Sequence, residues 1–429
     1  MYPITVSIAS VTAVVIFAVV YAAIVSERID RVVAAWFGAA ALLISGILTW
    51  QEALSAIDFN TIGLLLGMMI LVAILKPSGL FEQLALWMVA LSRGRPFLLL
   101  PLLGLLTGII SAFLDNVTTV LLIAPLTIQV ARLLRLPIFP FLFTEVFASN
   151  IGGTATLIGD PPNIMIGSSA SLSFNAFLTN NGPIIFLILL VTLAITLFLF
   201  HDQLVLQKGA DTQLLRKNAI DDRTLVVEGV VVLALVITGF VLHEKLHLMP
   251  AVVALAGATL LLLLHPRSAV SDVVHDVEWP TLLFFVGLFV VVGGLVKTGT
   301  IRALAQALLA FTGGAPAWTT MAVLFVSGIA SAFVDNIPFV ATMIPLIQAL
   351  GQGEGASPQA LEPLWWALSL GACLGGNGTL IGASANVVTA GLAAREGEVI
   401  TFMRFTRFGF PLMMITLLLA ALYLWLRYL

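Results

Sequence analysis

A decapeptide occurs twice, as TGIISAFLDN at residues 107–116 and SGIASAFVDN at residues 327–336, and each copy buries an aspartate in apolar sequence. Seven of the ten positions match at a constant offset of 220 residues. A chain that keeps a carboxylate deep in hydrophobic sequence, and keeps it twice, must fold so that both copies find a use. In a membrane segment an ionisable side chain is costly, which makes Asp115 and Asp335 candidate functional residues.

The surrounding sequence places both copies in a bilayer. Hydrophobic residues make up 60% of the 429, charged residues 10%, and the mean hydropathy is +1.11, far above soluble domains. Such a chain is an all-α polytopic membrane protein with the lipid bilayer as its main partner. The formal net charge of -3, with few and scattered Lys and Arg, excludes a nucleic-acid partner. One cysteine, Cys373, excludes an intramolecular disulfide and a cysteine-cluster metal site. The residue pattern calls for no cofactor and no metal, and no nucleophile, base or ligand set at enzymatic spacing is visible.

A membrane span needs about 20 apolar residues. Residues 4–25 form the first span, because they lack the basic start and cleavage pattern of a signal peptide. Spans at 32–50 and 61–75 follow, and residues 78–92 read as a surface helix. Residues 96–136 are apolar at both ends and polar in the middle (Ser111, Asp115, Asn116, Thr118, Thr119), as expected for a re-entrant hairpin with its tip in the membrane. Residues 141–170 are interrupted by GGTATLIGDPPN, where glycine and proline forbid a continuous helix. A final span covers 183–200.

Residues 201–223 are the one long hydrophilic stretch and read as a linker. The same programme then repeats: spans at 226–242, 250–264 and 281–296, a surface helix at 300–311, a hairpin at 318–350, a broken helix at 364–392 and a span at 408–426. Gly67 and Gly79 face Gly287 and Gly299 at the same offset, TLIG at 156–159 recurs at 379–382, and Asn163 meets Asn386. Residues 1–200 and 224–429 are therefore expected as two inverted repeats of five net crossings each. Placing both termini outside and the linker in the cytoplasm leaves only Lys245, Lys297, Arg302 and Arg427 on the outer side, which agrees with the positive-inside rule.

Inverted repeats with broken helices meeting near the midplane are a plan of secondary transporters. In that plan Asp115 and Asp335 approach one another, with Asn116, Asn336, Asn163 and Asn386 as neutral donors and acceptors. No Lys or Arg is expected at the midplane, and this sign suits a proton, a small cation or a neutral proton-coupled cargo better than a dianion. Glu145 reads as a helix–helix hydrogen bonder, Cys373 as a packing residue, and the five histidines as solvated residues of loops and span ends.

TGIISAFLDNVTTVLLIAP together with GGTATLIGDPPN resembles the arsenite permease and P-protein family of the ion transporter superfamily, which also holds sodium/proton antiporters and dicarboxylate carriers. The resemblance spans nearly the whole chain. It implies an inverted-repeat scaffold plus a transport domain, often a homodimer, working by elevator motion. It also implies proton-coupled efflux of arsenite or antimonite from a prokaryotic inner membrane, optionally driven by an ATPase subunit, with sodium/proton antiport as the alternative. By motif it carries over Asp115, Asn116, Thr156, Gly159, Asp160, Asn163, Asp335, Asn336, Thr379, Gly382 and Asn386 as substrate-binding and proton-coupling residues. The second repeat has Ala383-Ser384-Ala385 where the first has Asp160-Pro161-Pro162, so the site is expected to be asymmetric.

Overall fold

The computed structural model describes residues 7–26, 28–204, 220–266, 270–351 and 358–429, and these fold almost entirely into helices. Most of the expected 201–223 linker, residues 205–219, lies outside the described residues. The first repeat runs α1 (Ile8–Ser26), α2 (Arg31–Ile44), α3 (Trp50–Ala56), α4 (Phe59–Leu75), α5 (Leu80–Ser92), α6 (Pro96–Ser111), α7 (Asn116–Leu133), α8 (Ile138–Gly153), α9 (Pro161–Ala170), α10 (Phe174–Asn180) and α11 (Gly182–Leu199). The second runs α12 (Arg223–Leu242), α13 (Pro250–Leu264), α14 (Val270–Asp276), α15 (Trp279–Lys297), α16 (Thr300–Thr312), α17 (Pro316–Phe333), α18 (Asn336–Leu350), α19 (Pro358–Gly375), α20 (Ser384–Arg395) and α21 (Phe402–Tyr428). Hairpins α6–α7 and α17–α18 and broken helices α8–α9 and α19–α20 fall where the interrupted sequence requires them. Eight helices among the described residues are long and apolar enough to cross a bilayer.

Helix starts follow local chemistry. Asp58 caps α4 through the Asn60 and Thr61 amides, Asp222 caps α12 the same way, and Thr49 with Glu52 forms a capping box on α3. The short helices α3, α10 and α14 were not legible as spans, and α2 differs from expectation. It ends at Ile44 rather than running to residue 50, because the chain turns at Gly46 (φ +71°) and Thr49 opens α3. Fourteen residues rise only about 21 Å, less than the roughly 30 Å of hydrocarbon. Its first residue, Arg31, therefore starts within reach of the membrane interior.

The repeats interlock. Helix α2 packs on α15 and α13 on α4, each pair joining the two halves. The contacts are equivalent: a Cβ on Gly67 would lie 2.7 Å from the Ala254 carbonyl carbon, and one on Gly287 3.0 Å from that of Ala35. Within each repeat the hairpin packs on the broken helix, α6 on α8 and α17 on α19. There Gly152 lies against the Gly108 backbone and Gly375 against the Gly328 backbone, too close for any side chain. Every residue of α8 is buried. The outer helices expose large apolar side chains, among them Phe198, Leu263 and Phe311, as a lipid-facing surface requires.

His265 departs from the expectation of solvated histidines. It is buried to 9% exposure at the end of α13, and its Nδ1 lies 3.0 Å from Glu228 Oε2 on α12. The other four histidines are exposed or half-buried.

Gly152→Ala is expected to destabilise the protein by about 1–3 kcal/mol, because its Cβ meets fixed backbone. Gly391→Ala, where a Cβ meets nothing within 4 Å, should be neutral. Thermal unfolding of the purified protein in detergent tests this, and equal midpoints for the two variants would contradict the packing.

Candidate functional site

Four helices begin at one place. The N-termini of α7 and α18 are the hairpin tips, those of α9 and α20 are the breaks in the discontinuous helices, and Asn116, Pro161, Asn336 and Ser384 from their first turns line one small cavity. Asp115, Asp160, Arg31, Glu278 and Thr281 complete it, with Leu65 and Met69 as an apolar wall. Its volume of about 20 Å³ holds roughly one water molecule.

Asp115 and Asp335 occupy matching places as N-caps. Asp115 accepts from the Thr118 amide at 2.9 Å and from the Thr118 hydroxyl; Asp335 accepts from the Ile337 amide at 3.0 Å. Between the two tips stands a third carboxylate, that of Asp160. Each tip presents its following asparagine to Asp160: Asn116 Nδ2 lies 3.3 Å from Asp160 Oδ1, and Asn336 Nδ2 lies 3.4 and 3.3 Å from Oδ1 and Oδ2. Asp160 holds the N-cap position of α9 but caps nothing with its side chain, so its fully buried carboxylate is free to face both repeats. Its counterpart is Ala383, so the asymmetry expected from sequence is real.

Arg31 corrects the expectation of no cation at this depth. Its guanidinium donates to Ser384 Oγ (2.7 Å) and Thr281 Oγ1 (3.2 Å) and stands 3.7 Å from Asp335 Oδ2, which also accepts from Ser384 Oγ at 2.8 Å. Thr281 in turn donates to Glu278 at 3.2 Å. Arg31 was missed because it reads as the last residue of the charged turn ERIDR at residues 27–31.

Six of the sequence candidates build the breaks rather than the cavity. Asn163 Nδ2 donates to the Thr154 and Thr156 carbonyls at 3.1 and 2.9 Å, and Asn386 Nδ2 to those of Gly376 and Thr379 at 2.8 and 2.9 Å. Thr156 donates its hydroxyl to the Ala112 carbonyl and Thr379 to that of Ala332, tying each unwound segment to its hairpin tip. Gly159 and Gly382 sit against the Gly153 and Gly376 backbones, where a Cβ would come within 2.7 and 2.6 Å of a carbonyl oxygen. Sequence reasoning missed Asn150 and Asn377. Asn150 accepts from Asn116 at 3.1 Å and donates to Asn377 and Asn386 at 3.0 Å each, so a line of amides joins the repeats. Neither has an asparagine counterpart, since Asn150 faces Cys373 and Thr154 faces Asn377, and repeat matching could not reveal them.

Two larger cavities lie at equivalent turns of the two repeats. A vestibule of about 380 Å³ below the α1–α2 turn reaches Asp335, Ser384 and Arg31. At the equivalent α12–α13 turn a cavity of about 320 Å³ is lined by His243, His247 and Met249 but closes at Leu157 and Ile164, and neither Asp115 nor Pro161 lines it. Among the described residues, the cavity at the α1–α2 turn shares Arg31 and Ser384 with the central cavity.

Residues 21–371 match the citrate transporter family, CitMHS. The chain belongs to that family. Its relatives include an uncharacterized transporter of Mycobacterium tuberculosis, 46% identical over 98% of this chain and 99% of that one. An uncharacterized transporter of Synechocystis is 37% identical over 96% of both chains. The mouse P protein is 37% identical over 96% of this chain, which spans 60% of the P protein's length. The fold is that of the Alcanivorax borkumensis YdaH transporter, solved as a crystal structure, at a TM-score of 0.59 over 97% of each chain and 14% identity. This CitMHS-family chain is a multi-pass membrane transporter and not an enzyme.

Thr156→Val should cost about 1–3 kcal/mol, because the Ala112 carbonyl loses its donor in a dry setting, and Thr156→Ser should restore most of it. Unfolding midpoints of the two variants decide the point; equal midpoints would remove the tether from the account.

Proposed function

We propose that this chain is a secondary active transporter that exchanges protons for a small cargo at Asp160, across a prokaryotic plasma membrane with both termini outside and the linker in the cytoplasm. The observation that carries this reading is the placement of Asp160. A carboxylate fully buried between two amide donors, with the one nearby guanidinium engaged by Asp335 and Ser384, is uncompensated when ionised, and a proton or a bound cargo relieves it.

Charge bookkeeping narrows the cargo. Asp115, Asp160, Asp335 and Glu278 face Arg31 and four helix N-termini worth about half a positive charge each, which leaves a shortfall of about one positive charge. A proton or one monovalent cation fills it, and carboxylate and amide oxygens are hard ligands suited to sodium. Proton exchange against sodium or lithium is thus the reading the geometry supports best. A second reading, efflux of arsenite or antimonite, is supported by the GGTATLIGDPPN motif. An uncharged trihydroxide could donate to Asp160 and accept from Asn116 and Asn336 in the same place. Free citrate, the substrate in the family's name, is opposed by Asp115, Asp160 and Glu278 on the cavity wall and by Asp335 beside it.

Alternating access follows from the interlocked repeats. The approach that reaches Asp335 closes as the equivalent approach to Asp115 opens, exchanging the roles of the two tips. Homodimerisation and an ATPase subunit remain proposals that the family resemblance supports.

Purified protein in liposomes with an imposed pH gradient tests the reading. Discharge on adding sodium or lithium is expected; discharge on arsenite or antimonite alone would select the second reading, and discharge on citrate alone would overturn both. Asp160→Asn should abolish coupled flux. Asp115→Asn and Asp335→Asn should do the same without loss of stability, because asparagine caps a helix as well as aspartate does. Near-normal flux in all three variants would sink the assignment.

A further inference from the structure

One buried carboxylate takes no part in the site just described. Glu145 lies in the middle of α8 at 1% exposure; its Oε1 accepts from Thr127 Oγ1 on α7 at 2.5 Å, and its Oε2 has no partner. It stands in a polar seam. On α7, Asn116, Thr119 and Thr127 fall on one helical face, and on α8 Glu145 and Ser149 are one turn apart. Ser149 Oγ donates to the Asn116 carbonyl at 3.0 Å, Asn116 reaches Asp160, and Thr119 Oγ1 is buried without a partner. The seam thus runs from Asp160 to Glu145, with open hydrogen-bonding capacity at both Thr119 and Glu145.

The second repeat provides an internal comparison. The positions equivalent to Thr119, Thr127, Glu145, Ser149 and Asn150 are Phe339, Ile347, Leu368, Ala372 and Cys373. At these five places the α18–α19 interface carries no hydroxyl, amide or carboxylate. Packing therefore does not require these groups, since the same architecture is built without them in the other half.

No charge compensates Glu145. Of the elements packed on α8, α6 and α11 carry no ionisable residue. On α7, Arg132 pairs with Glu396 at 2.7 Å; on α21, Arg404 pairs with Glu398 at 2.6 Å and stacks on Phe139, with Arg407 and Arg427 elsewhere on that helix. Helix α20 offers only Arg395 at its far end, and α19 offers Glu362 and Cys373. Asp115 at the α7 tip is occupied by Thr118. None of these groups bonds to Glu145.

We propose that Glu145 is a second proton-binding site, in series with Asp160 along the α7–α8 seam. Cargo arriving at Asp160 displaces its carboxyl proton. That proton passes through the hydroxyls of Ser149 and Thr119, and water bound to them, onto the Glu145 carboxylate. Asp160 becomes the anion and Glu145 the neutral acid, with no net change of charge in the protein. Glu145 then gives the proton up to water, which completes the exchange. The mechanism rests on the proton-coupled reading above, but the existence of the site does not.

Two measurements on the full-length protein separate these points. Infrared difference spectra across a pH titration should show a protonated-carboxyl carbonyl band that is missing in Glu145→Gln, shifted in Thr127→Val and kept in Asp160→Asn. In liposomes Glu145→Gln should slow sodium-driven proton flux by about tenfold or more, Glu145→Asp should restore part of it, and equilibrium sodium binding should stay within about twofold of wild type. A band unaltered in both Glu145→Gln and Thr127→Val, or wild-type flux at every pH in Glu145→Gln, overturns the proposal while leaving Asp160 in place. A wild-type protein that shows the band but moves no protons with any cargo overturns the coupling and leaves Glu145 as a proton site.

Discussion

Opening backbone inside hydrocarbon is permitted only if every freed N–H and C=O finds a partner within the protein, and the two broken helices of this chain depend on that constraint being met. For the carbonyls of the breaks and tips, the same side chains serve in both repeats. Asn163 and Asn386 reach back to the carbonyls of their own breaks, Thr156 and Thr379 fasten each break to its hairpin tip, and Ser111 and Ser331 donate to the Ser149 and Ala372 carbonyls at 2.7 and 2.6 Å. The glycines let the strands of this knot lie close enough for those bonds to form. Without them, four helix N-termini could not be brought to one point inside the membrane.

Once the architecture is duplicated, chemistry need not be. The half-site of the first repeat carries Asp160, Asn150 and Glu145, and the corresponding places in the second carry Ala383, Cys373 and Leu368. The second half contributes instead through Asn336, Ser384 and the tip aspartate that Arg31 engages. An inverted repeat supplies two equivalent routes of access by symmetry, and a single central carboxylate gives both routes one common load. A carboxylate in each half would place two uncompensated charges in the same dry cavity, which is costly.

Legibility followed the kind of signal each residue leaves. Hairpins and breaks were readable because polar, glycine and proline residues interrupt long apolar runs, and a second copy fixed their register. Asp115 and Asp335 were visible for the same reason, although their observed work is helix capping at the tips, and the meeting point they mark is occupied by Asp160. Arg31, Asn150 and Asn377 were not found. Arg31 looked like part of a charged surface turn, and neither Asn150 nor Asn377 has an asparagine in the matching position of the other repeat. His265 looked like a loop residue because nothing in its neighbourhood names Glu228, 37 positions away, as its partner.

The sequence by itself determined the class, the repeats, the places where helices must break and the side chains able to satisfy those breaks, because hydrophobic length, backbone chemistry and duplication are properties of local sequence. Only the tertiary structure decided that Asp160 lies between Asn116 and Asn336 and that a short α2 delivers Arg31 to Asp335. Those are distances between residues up to 304 positions apart along the chain, as between Arg31 and Asp335. They follow from how helices of particular lengths interlock, and no local pattern records that.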